Sequence, residues 1–484
     1  MRILGINCMN HDAAMAIVEY DKKGPGKILW AAHAERYSKT KNDHYLNEAI
    51  VNEARKYGWQ KVVYYEKPIL KKSRQLYAGQ YGVAIDSKEM PQHHLKQFGI
   101  KIDEYVKHHD SHAAAGYFTS GLNDAVILTV DAIGEWDTVS ISKGYNQKSI
   151  ERMESIKYPH SLGILYSAFT QRCGLKPAEE EYILMGMAAY GTPKYKDDIY
   201  KDFVKRNPFR LKRNLHKGIG DWHSEADVMD LAASVQAVTE ECLSDLWQRA
   251  SRYAGFGNKN LVYAGGVALN CAANRVLANL GLFEKIWIIP NPGDAGSSLG
   301  AAASLYNQKL RWKGPYLGTE IKSKSNPKEI ARYLYDYSVC GVASGRAEFG
   351  PRALGNRSLV ADPRRDIKDT VNDIKRRQKF RPFAPAILEE YADEYFEGPM
   401  NEYMQFVAKA KHDYKSVTHV DGTARVQIVK KDCESIIRKI LEEWMDLTNC
   451  PMLLNTSLNI KGKPMVDNEI DKKKWEQKYK VKVF

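Results

Sequence analysis

Short apolar runs that break off at Gly, Asn or Asp alternate with helical stretches over the first 300 residues, and this alternation restricts the fold more than anything else in the chain. Residues 3–6 run into Asn10-His11-Asp12 and resume at 14–18, a strand, a polar bend and a returning strand. Residues 124–130 end on Asp131, 261–264 end on Gly265-Gly266, and 286–289 lead through Pro290-Asn291-Pro292-Gly293 to Asp294. Helical stretches are predicted over 107–118 and 268–280. Strands and helices in alternation, with small or acidic residues at strand ends, indicate an α/β architecture whose site lies along the carboxyl ends of the strands. No tandem repeat is evident, yet Asp131 and Asp294, both at strand ends, hint at two similar half-domains.

Composition narrows the class. With 44% apolar and 27% charged residues in 484, the chain can bury two or three cores, which excludes a disordered adaptor and a small stapled scaffold. Lys and Arg exceed the acids by 13, which suggests an anionic partner. No run approaches the roughly 18–20 apolar residues of a membrane span, and the first strand does not resemble a signal peptide, so a cytoplasmic enzyme without a membrane partner is expected. Seven cysteines with no CxxC pair argue for core fillers rather than a disulfide framework or zinc ribbon. Residues 309–326, rich in Lys, Gly and Ser, read as a linker, which divides the chain into 1–325 and 326–484.

His108 and His112 are four apart on a predicted helix, so both imidazoles share a face. Such pairs also occur as ordinary core or surface residues. Asp131 and Asp294 strengthen the metal reading, since a carboxylate at a strand end has no packing reason to be there; for Asp294 the alternative is a turn or helix N-cap. Two His and two Asp make a mixed N/O donor set, better suited to iron, manganese or zinc than to magnesium. Gly265-Gly266 and Asp294-Ala295-Gly296 allow either close approach of nucleotide phosphates or tight helix packing, and neither matches a dinucleotide or Walker fingerprint.

The densest signal is 345–358, where Arg346, Arg352 and Arg357 are punctuated by Gly345, Gly350, Pro351 and Gly355. Lys375, Arg376, Arg377, Lys379 and Arg381 follow, Arg425 sits in a strand-like stretch, and Asn455-Thr456-Ser457 closes another. Guanidinium forks and hydroxyls gathered this way suit a phosphate-rich substrate; the plain alternative is a solvated basic surface. Two more basic stretches, Lys67, Lys71, Lys72 and Arg74, and Lys201, Lys205, Arg206, Arg210, Lys212, Arg213 and Lys217 with Phe203, Phe209 and Leu211 between them, suit either nucleic-acid phosphates or a solvated face. No nucleophile motif is present, which favours positioning, metal polarisation and a general base. His11, beside Asp12, is the leading candidate base because an ordinary imidazole titrates near neutrality; its alternative role is to position a nucleotide.

These residues, with Ala34-Glu35-Arg36, Tyr65-Glu66-Lys67-Pro68, Met185-Gly186-Met187-Ala188-Ala189-Tyr190-Gly191, Gly265-Gly266-Val267-Ala268-Leu269-Asn270, Phe380-Arg381-Pro382-Phe383-Ala384-Pro385 and His419-Val420-Asp421-Gly422-Thr423-Ala424-Arg425, resemble the carbamoyltransferases of the nodulation-protein NodU, cephamycin and tobramycin type over essentially the entire chain. The resemblance implies an α/β chain with an N-terminal duplicated actin/Hsp70-like (Kae1-like) domain followed by a YrdC-like α/β domain. The second would join carbamoyl phosphate and ATP into carbamoyl-adenylate, and the first would pass the carbamoyl group to an alcohol. By the same resemblance His108, His112, Asp131 and Asp294 hold one divalent metal, Fe2+ foremost with Mn2+ or Zn2+ as alternatives, Mg2+ accompanies ATP, and His11 takes the hydroxyl proton. Lys375, Arg381, Arg425, Ser457 and Arg352 would bind the phosphates, Lys375 and Arg381 as catalytic groups, with Gly265, Gly266, Asn270 and Asn455 as further nucleotide contacts. Two departures stand out: Ile183 where the family usually has lysine, and a basic tail from Lys472 to Lys482.

Bacteriophage-borne members are associated with hypermodified DNA bases. Together with the basic balance, this makes the 5-hydroxymethyl group of a modified cytosine or uracil in DNA the expected acceptor, reached by base flipping if the DNA is duplex. The compartment is then the host cytoplasm. The alternatives are a sugar, nodulation factor or antibiotic precursor, threonylcarbamoyl transfer to tRNA, and a non-catalytic nucleic-acid-binding protein on the same fold. Oligomeric state has no signature.

Overall fold

A computed structural model describes residues 1–21, 24–255, 259–322 and 325–484. Two compact units result, Met1–Ala34 with Asn42–Trp312, and Glu35–Lys41 with Lys313–Phe484. The division at 312 lies ahead of the expected one at 325, because the stretch expected as a linker is structured. Leu310–Arg311 pairs with a sheet of the first unit, and Tyr316–Ile321 pairs with Gly345–Glu348 in the second. Residues 323 and 324 of that stretch lie outside the described residues.

In the first unit, β1 (Arg2–Asn7), β2 (Ala14–Glu19) and β3 (Gly26–His33) form an antiparallel meander, which β4 (Lys61–Tyr64) and β5 (Glu104–Tyr105) extend in parallel from β1. A second meander, β6 (Ala125–Val130), β7 (Asp137–Tyr145) and β8 (Ser149–Lys157), is extended in parallel from β6 by β9 (Asn260–Ala264) and β10 (Lys285–Trp287). The orders β3-β2-β1-β4-β5 and β8-β7-β6-β9-β10 are one arrangement used twice. The central strands β6 and β9 are buried at every residue, the pattern of a sheet covered on both faces, whereas the edge strand β8 alternates exposed and half-buried positions.

The helices that matter for the site are α1 (Pro68–Tyr77), α2 (Tyr81–Ile85), α3 (His108–Ser120), α4 (Cys271–Asn279) and α5 (Asp294–Ser304). Helices α3 and α5 are built largely from Ala, Gly and Ser and are buried nearly all round, as expected of a helix with no solvent face. They approach so closely that a Cβ on Gly300 would stand 1.8 Å from the carbonyl oxygen of Ser111. Small side chains along both helices therefore bring the start of α3 to the start of α5.

The second unit has a five-stranded sheet in the order β11-β12-β15-β13-β14, formed by β11 (Val339–Ala343), β12 (Arg357–Ala361), β13 (Ala384–Leu388), β14 (Gln427–Val429) and β15 (Met452–Ser457). Only the β13–β14 pair is parallel. Helices α6 (Pro327–Tyr337) and α8 (Ile437–Thr448) pack on it through Ile330, Leu334, Ile440, Leu441 and Trp444, and α7 (Lys368–Ile374) adds Val371 to the same core. Both units are mixed α/β. All seven cysteines are free thiols and five are buried. No helix among the described residues is long and apolar enough to cross a membrane.

Candidate functional site

One strand end and two helix starts meet in the first unit. His108 opens α3 and His112 lies one turn on, Asp131 follows β6, and Asp294 opens α5. The four side chains offer one ligand atom each, all within 4.8 Å of one another, and all four residues are buried. His108 Nε2 is 2.9 Å and His112 Nε2 3.4 Å from Asp131 Oδ2, both are 3.3 Å from Asp294 Oδ1, and the two Nε2 atoms stand 3.0 Å apart. Donors that share one ion at about 2.0–2.2 Å in tetrahedral array lie roughly 3.3–3.6 Å from each other. The observed spacings are close to that, and convergence of two carboxylates and two imidazoles on one point has no explanation in packing.

The surrounding residues fix this geometry. Asp131 Oδ1 accepts the backbone N–H of Ala132 at 2.8 Å and of Gly266 at 3.3 Å, which leaves Oδ2 to face the histidines. Asn10, from the β1–β2 bend, donates to Asp294 Oδ2 at 2.8 Å. Glu135 Oε1 accepts the N–H of His108 and of Lys67, which satisfies a helix-start amide of α3. Buried Glu66 places Oε2 3.9 Å from His108 Nδ1 while its Oε1 accepts Lys71 Nζ at 2.8 Å. Asn10, Glu66 and Glu135 were not among the residues expected to carry the site. Asn10 and Glu66 sit inside the Asn-His-Asp and Tyr-Glu-Lys-Pro motifs, but only the fold turns them toward the histidines.

Burial works against every charge here, and the mutual attraction of opposite charges outweighs it. His108 and His112 are held above the ordinary imidazole range by Asp131 and Asp294, and both carboxyls are pulled well below theirs by the imidazoles. The four groups therefore carry full charges until a cation replaces the imidazole protons. His109, whose Nδ1 lies 3.0 Å from Ser140 Oγ, is forced the other way by burial and by the neighbouring His108, and stays neutral.

His11 is pushed up to about 10: burial lowers it, but Asp12, Asp294 and Asp131 raise it further. Its Nδ1 lies 3.5 Å from Asp12 Oδ2, and a third of the side chain is exposed. At neutral pH the ring is thus an imidazolium, so the near-neutral value that recommended it as a base on sequence does not hold in this state.

The glycine pair serves the same centre. Gly265 has φ of +91°, and a Cβ there would stand 2.2 Å from the Val130 carbonyl oxygen, so only glycine lets the end of β9 pass the end of β6. Asn270 caps α4, accepting the Ala273 N–H at 3.0 Å, and exchanges hydrogen bonds with Gln236. In this arrangement Gly265, Gly266 and Asn270 position Asp131 and a helix start. Ile183 is buried, so the departure from lysine is an apolar core position.

In the second unit, Lys375 is buried at 3% exposure, and its ammonium faces Ser457 Oγ at 3.2 Å, Asn459 O and Oδ1 at 3.0 Å each, and Ser457 O. Burial, with Arg377 and Arg381 adding to it, draws its pKa well down. Four protein acceptors for three N–H groups make Lys375 the holder of the β15 end. Asn455 donates to Gln427 Oε1 at 2.7 Å and to Ala353 O at 3.2 Å, next to half-buried Arg352. Arg425, also half-buried, has a buried Nε with no partner. Arg381 is half-buried behind α7.

The arginine-rich loop divides. Arg357 is fully buried and donates to the carbonyls of Asp467, Ser344, Gly345, Asn356 and Thr319, and Arg346 donates to those of Leu317 and Gly318. Expected as phosphate forks, both instead knit the loop together. In the 201–217 stretch Phe203, Phe209 and Leu211 are core residues, while the seven basic residues are exposed, Arg206 paired with Asp245 and Glu241 and Arg213 lying over the Phe203 ring.

Residues 63–303 match the family model described as carbamoyltransferase N-terminus, and 331–484 that described as carbamoyltransferase C-terminus. An uncharacterized protein of Synechocystis sp. is 33% identical, over 96% of this chain and 92% of that one. The nodulation protein NolNO of Sinorhizobium fredii is 31% identical over 96% of this chain and 76% of its own, and NolO of Bradyrhizobium diazoefficiens is 32% identical over 76% and 75%.

Proposed function

From the premise that this chain belongs to the carbamoyltransferase family and is an O-carbamoyltransferase, we propose that its second unit converts carbamoyl phosphate, ATP and one water to carbamoyl-adenylate, phosphate and pyrophosphate, and that its first unit moves the carbamoyl group to a hydroxyl of a small molecule. The observation that carries the reading is the convergence of His108, His112, Asp131 and Asp294. The twice-used strand order of the first unit supports its reading as a duplicated actin/Hsp70-like (Kae1-like) domain, and the second unit is read as YrdC-like.

The four converging residues would hold one divalent cation, Fe2+ foremost by the family resemblance, with Mn2+ or Zn2+ as alternatives. A cation there supplies charge compensation for both carboxylates and polarisation of the carbamoyl carbonyl. His11 is read as the base: once its ring has given up a proton, Nε2, the ring nitrogen not facing Asp12, would accept the proton of the acceptor hydroxyl. The hydroxyl oxygen bonds to the carbamoyl carbon, and the bond from that carbon to the adenylate oxygen breaks, releasing AMP. In the second unit Arg352, Arg381, Arg425 and Ser457 meet the phosphates, Asn455 fixes the adjoining loop, Lys375 orients Ser457, and Mg2+ accompanies ATP.

A hydroxymethylated pyrimidine of DNA gives way to a small-molecule hydroxyl as acceptor. Two of the relatives are nodulation proteins, and one of the basic stretches lines a small cavity rather than an open face. The test is transfer of radiolabel from carbamoyl phosphate, with ATP and Fe2+ or Mn2+, to a panel of sugars alongside DNA containing hydroxymethylcytosine. Label in sugars alone is expected; label confined to the DNA would restore the nucleic-acid acceptor.

A further inference from the structure

The second basic stretch, Lys67 to Arg74, does not spread over a surface. Helix α1 and the chain that follows it line a cavity of about 260 Å3 in the first unit, whose wall includes Asn10 and Glu66 together with Lys71, Lys72 and Arg74. Asn10 is the residue that holds Asp294, and Glu66 is the one beside His108, so the cavity begins where the metal-type centre ends.

Its charges are not equivalent. Lys71 is neutralised by Glu66 at 2.8 Å, and Lys72 donates to the carbonyls of Val83 and Asp86 at the end of α2. Arg74 has no such partner. It is only 6% exposed, its Nε is buried without a hydrogen bond, its guanidinium lies 5.6 Å from the Tyr158 ring, and Glu66 acts on it through its field without forming an ion pair. The cavity's second acid, Glu89, is exposed at the rim and makes no ion pair with it. A buried guanidinium with no carboxylate or carbonyl in hydrogen-bonding contact is costly to maintain, and in a cavity wall it is the fork for a planar or tetrahedral anion.

We propose that this cavity is the acceptor pocket and that the acceptor is an anionic alcohol, a hydroxyl compound of about monosaccharide size that carries a phosphate, sulfate or carboxylate. The anion sits against Arg74, and the hydroxyl to be carbamoylated points toward Asn10 and Glu66. This rests on the carbamoyl-transfer reading above and narrows its substrate class. The pocket would discriminate against neutral sugars because Arg74 is then left unpaired, a larger penalty than a missing methylene in an apolar pocket.

The test is equilibrium binding of glucose 6-phosphate, glucuronate and glucose to the full chain by calorimetry. At least one of the two anions is expected to bind ten times or more tighter than glucose, and Arg74→Gln to remove that advantage while Arg74→Lys keeps part of it; an unchanged melting midpoint in Arg74→Gln shows that the fold is retained. If Arg74→Gln melts early, the graded loss in Arg74→Lys is the deciding measurement. Glucose binding as tightly as the anions, anion binding indifferent to both variants, or no binding of either anion at millimolar concentration overturns the proposal. Carbamoyl-phosphate-dependent pyrophosphate release by the wild-type protein is measured in parallel. Its absence would count against the transfer reading alone, and its presence with no anion binding would count against the pocket alone.

Discussion

The two units treat their ligand-type side chains in opposite ways. In the first, four buried groups from α3, α5 and the end of β6 point at one another, and the neighbours that bond to them, Asn10 among them, leave one atom of each facing the common centre. In the second, much of the cationic inventory is already bonded to the chain: Arg357 and Arg346 to backbone carbonyls, Lys375 to Ser457 and Asn459. Density of charged residues in sequence is therefore a poor guide to a binding site. What separates a site from a scaffold is whether the polar atoms remain unmatched after folding.

The sharpest way to break this contrast is to remove one member of the converging set. Asp294→Ala or His108→Ala should lose bound divalent cation, read by elemental analysis, and lower carbamoyl transfer by more than about a hundredfold, beyond what loss of an outer-shell partner costs. Transfer that survives with unchanged metal content would show that the cluster is only a buried ion-pair network.

The second unit yields a paired prediction. Arg357→Met should act on stability, about 3 kcal/mol or more, since it strips the donor from several buried carbonyls, and should appear as an early melting transition. Arg425→Ala, whose Nε has no partner, should leave the melt nearly unchanged and reduce carbamoyl-phosphate-dependent pyrophosphate release about ten- to hundredfold. Equal effects of both on melting would erase the distinction between scaffold and site.

How much of this was legible beforehand follows the same line. The four converging residues were readable because i, i+4 spacing on a helix and an acid at a strand end are local signals; both hold for His108, His112 and Asp131, whereas Asp294 opens a helix, seven positions beyond the end of β10 at Trp287. The α/β alternation was readable for the same reason. The repeated strand order was only hinted at, since it preserves direction and burial rather than residue identity. The fates of Arg346, Arg357 and Lys375 were not legible, because they are decided by carbonyls and amides up to 110 positions away, as with Arg357 and Asp467. Nor was it visible that Glu35–Lys41 would pack with the second unit, or that Asn10 and Glu66 would brace the centre.

A smaller effect sharpens the first unit's side of the comparison. Because His108 and His112 are held protonated by Asp131 and Asp294, a cation must displace their protons in order to bind. Uptake should therefore release protons, and apparent affinity should fall by about tenfold for each unit of acidification per proton displaced. Calorimetric titrations in buffers of different ionisation enthalpy would measure it, and a pH-independent affinity would place the cation elsewhere.

The smallest effect concerns the 201–217 stretch. Arg206 makes a forked pair with Asp245, 2.8 Å from Nε, and a further contact with Glu241 at 3.0 Å, at a side chain that is 38% exposed. Surface pairs of this kind are worth about 0–1 kcal/mol, so Arg206→Ala should shift the melt only slightly. A guanidinium matched by two acids has little charge left to offer a phosphate. Replacing Arg206 by alanine should thus leave DNA binding, and its dependence on salt, almost unaltered in a filter-binding titration. A loss of affinity with a flatter salt slope, close to one unit per phosphate contact removed, would instead make this face a nucleic-acid surface and reopen DNA as the acceptor.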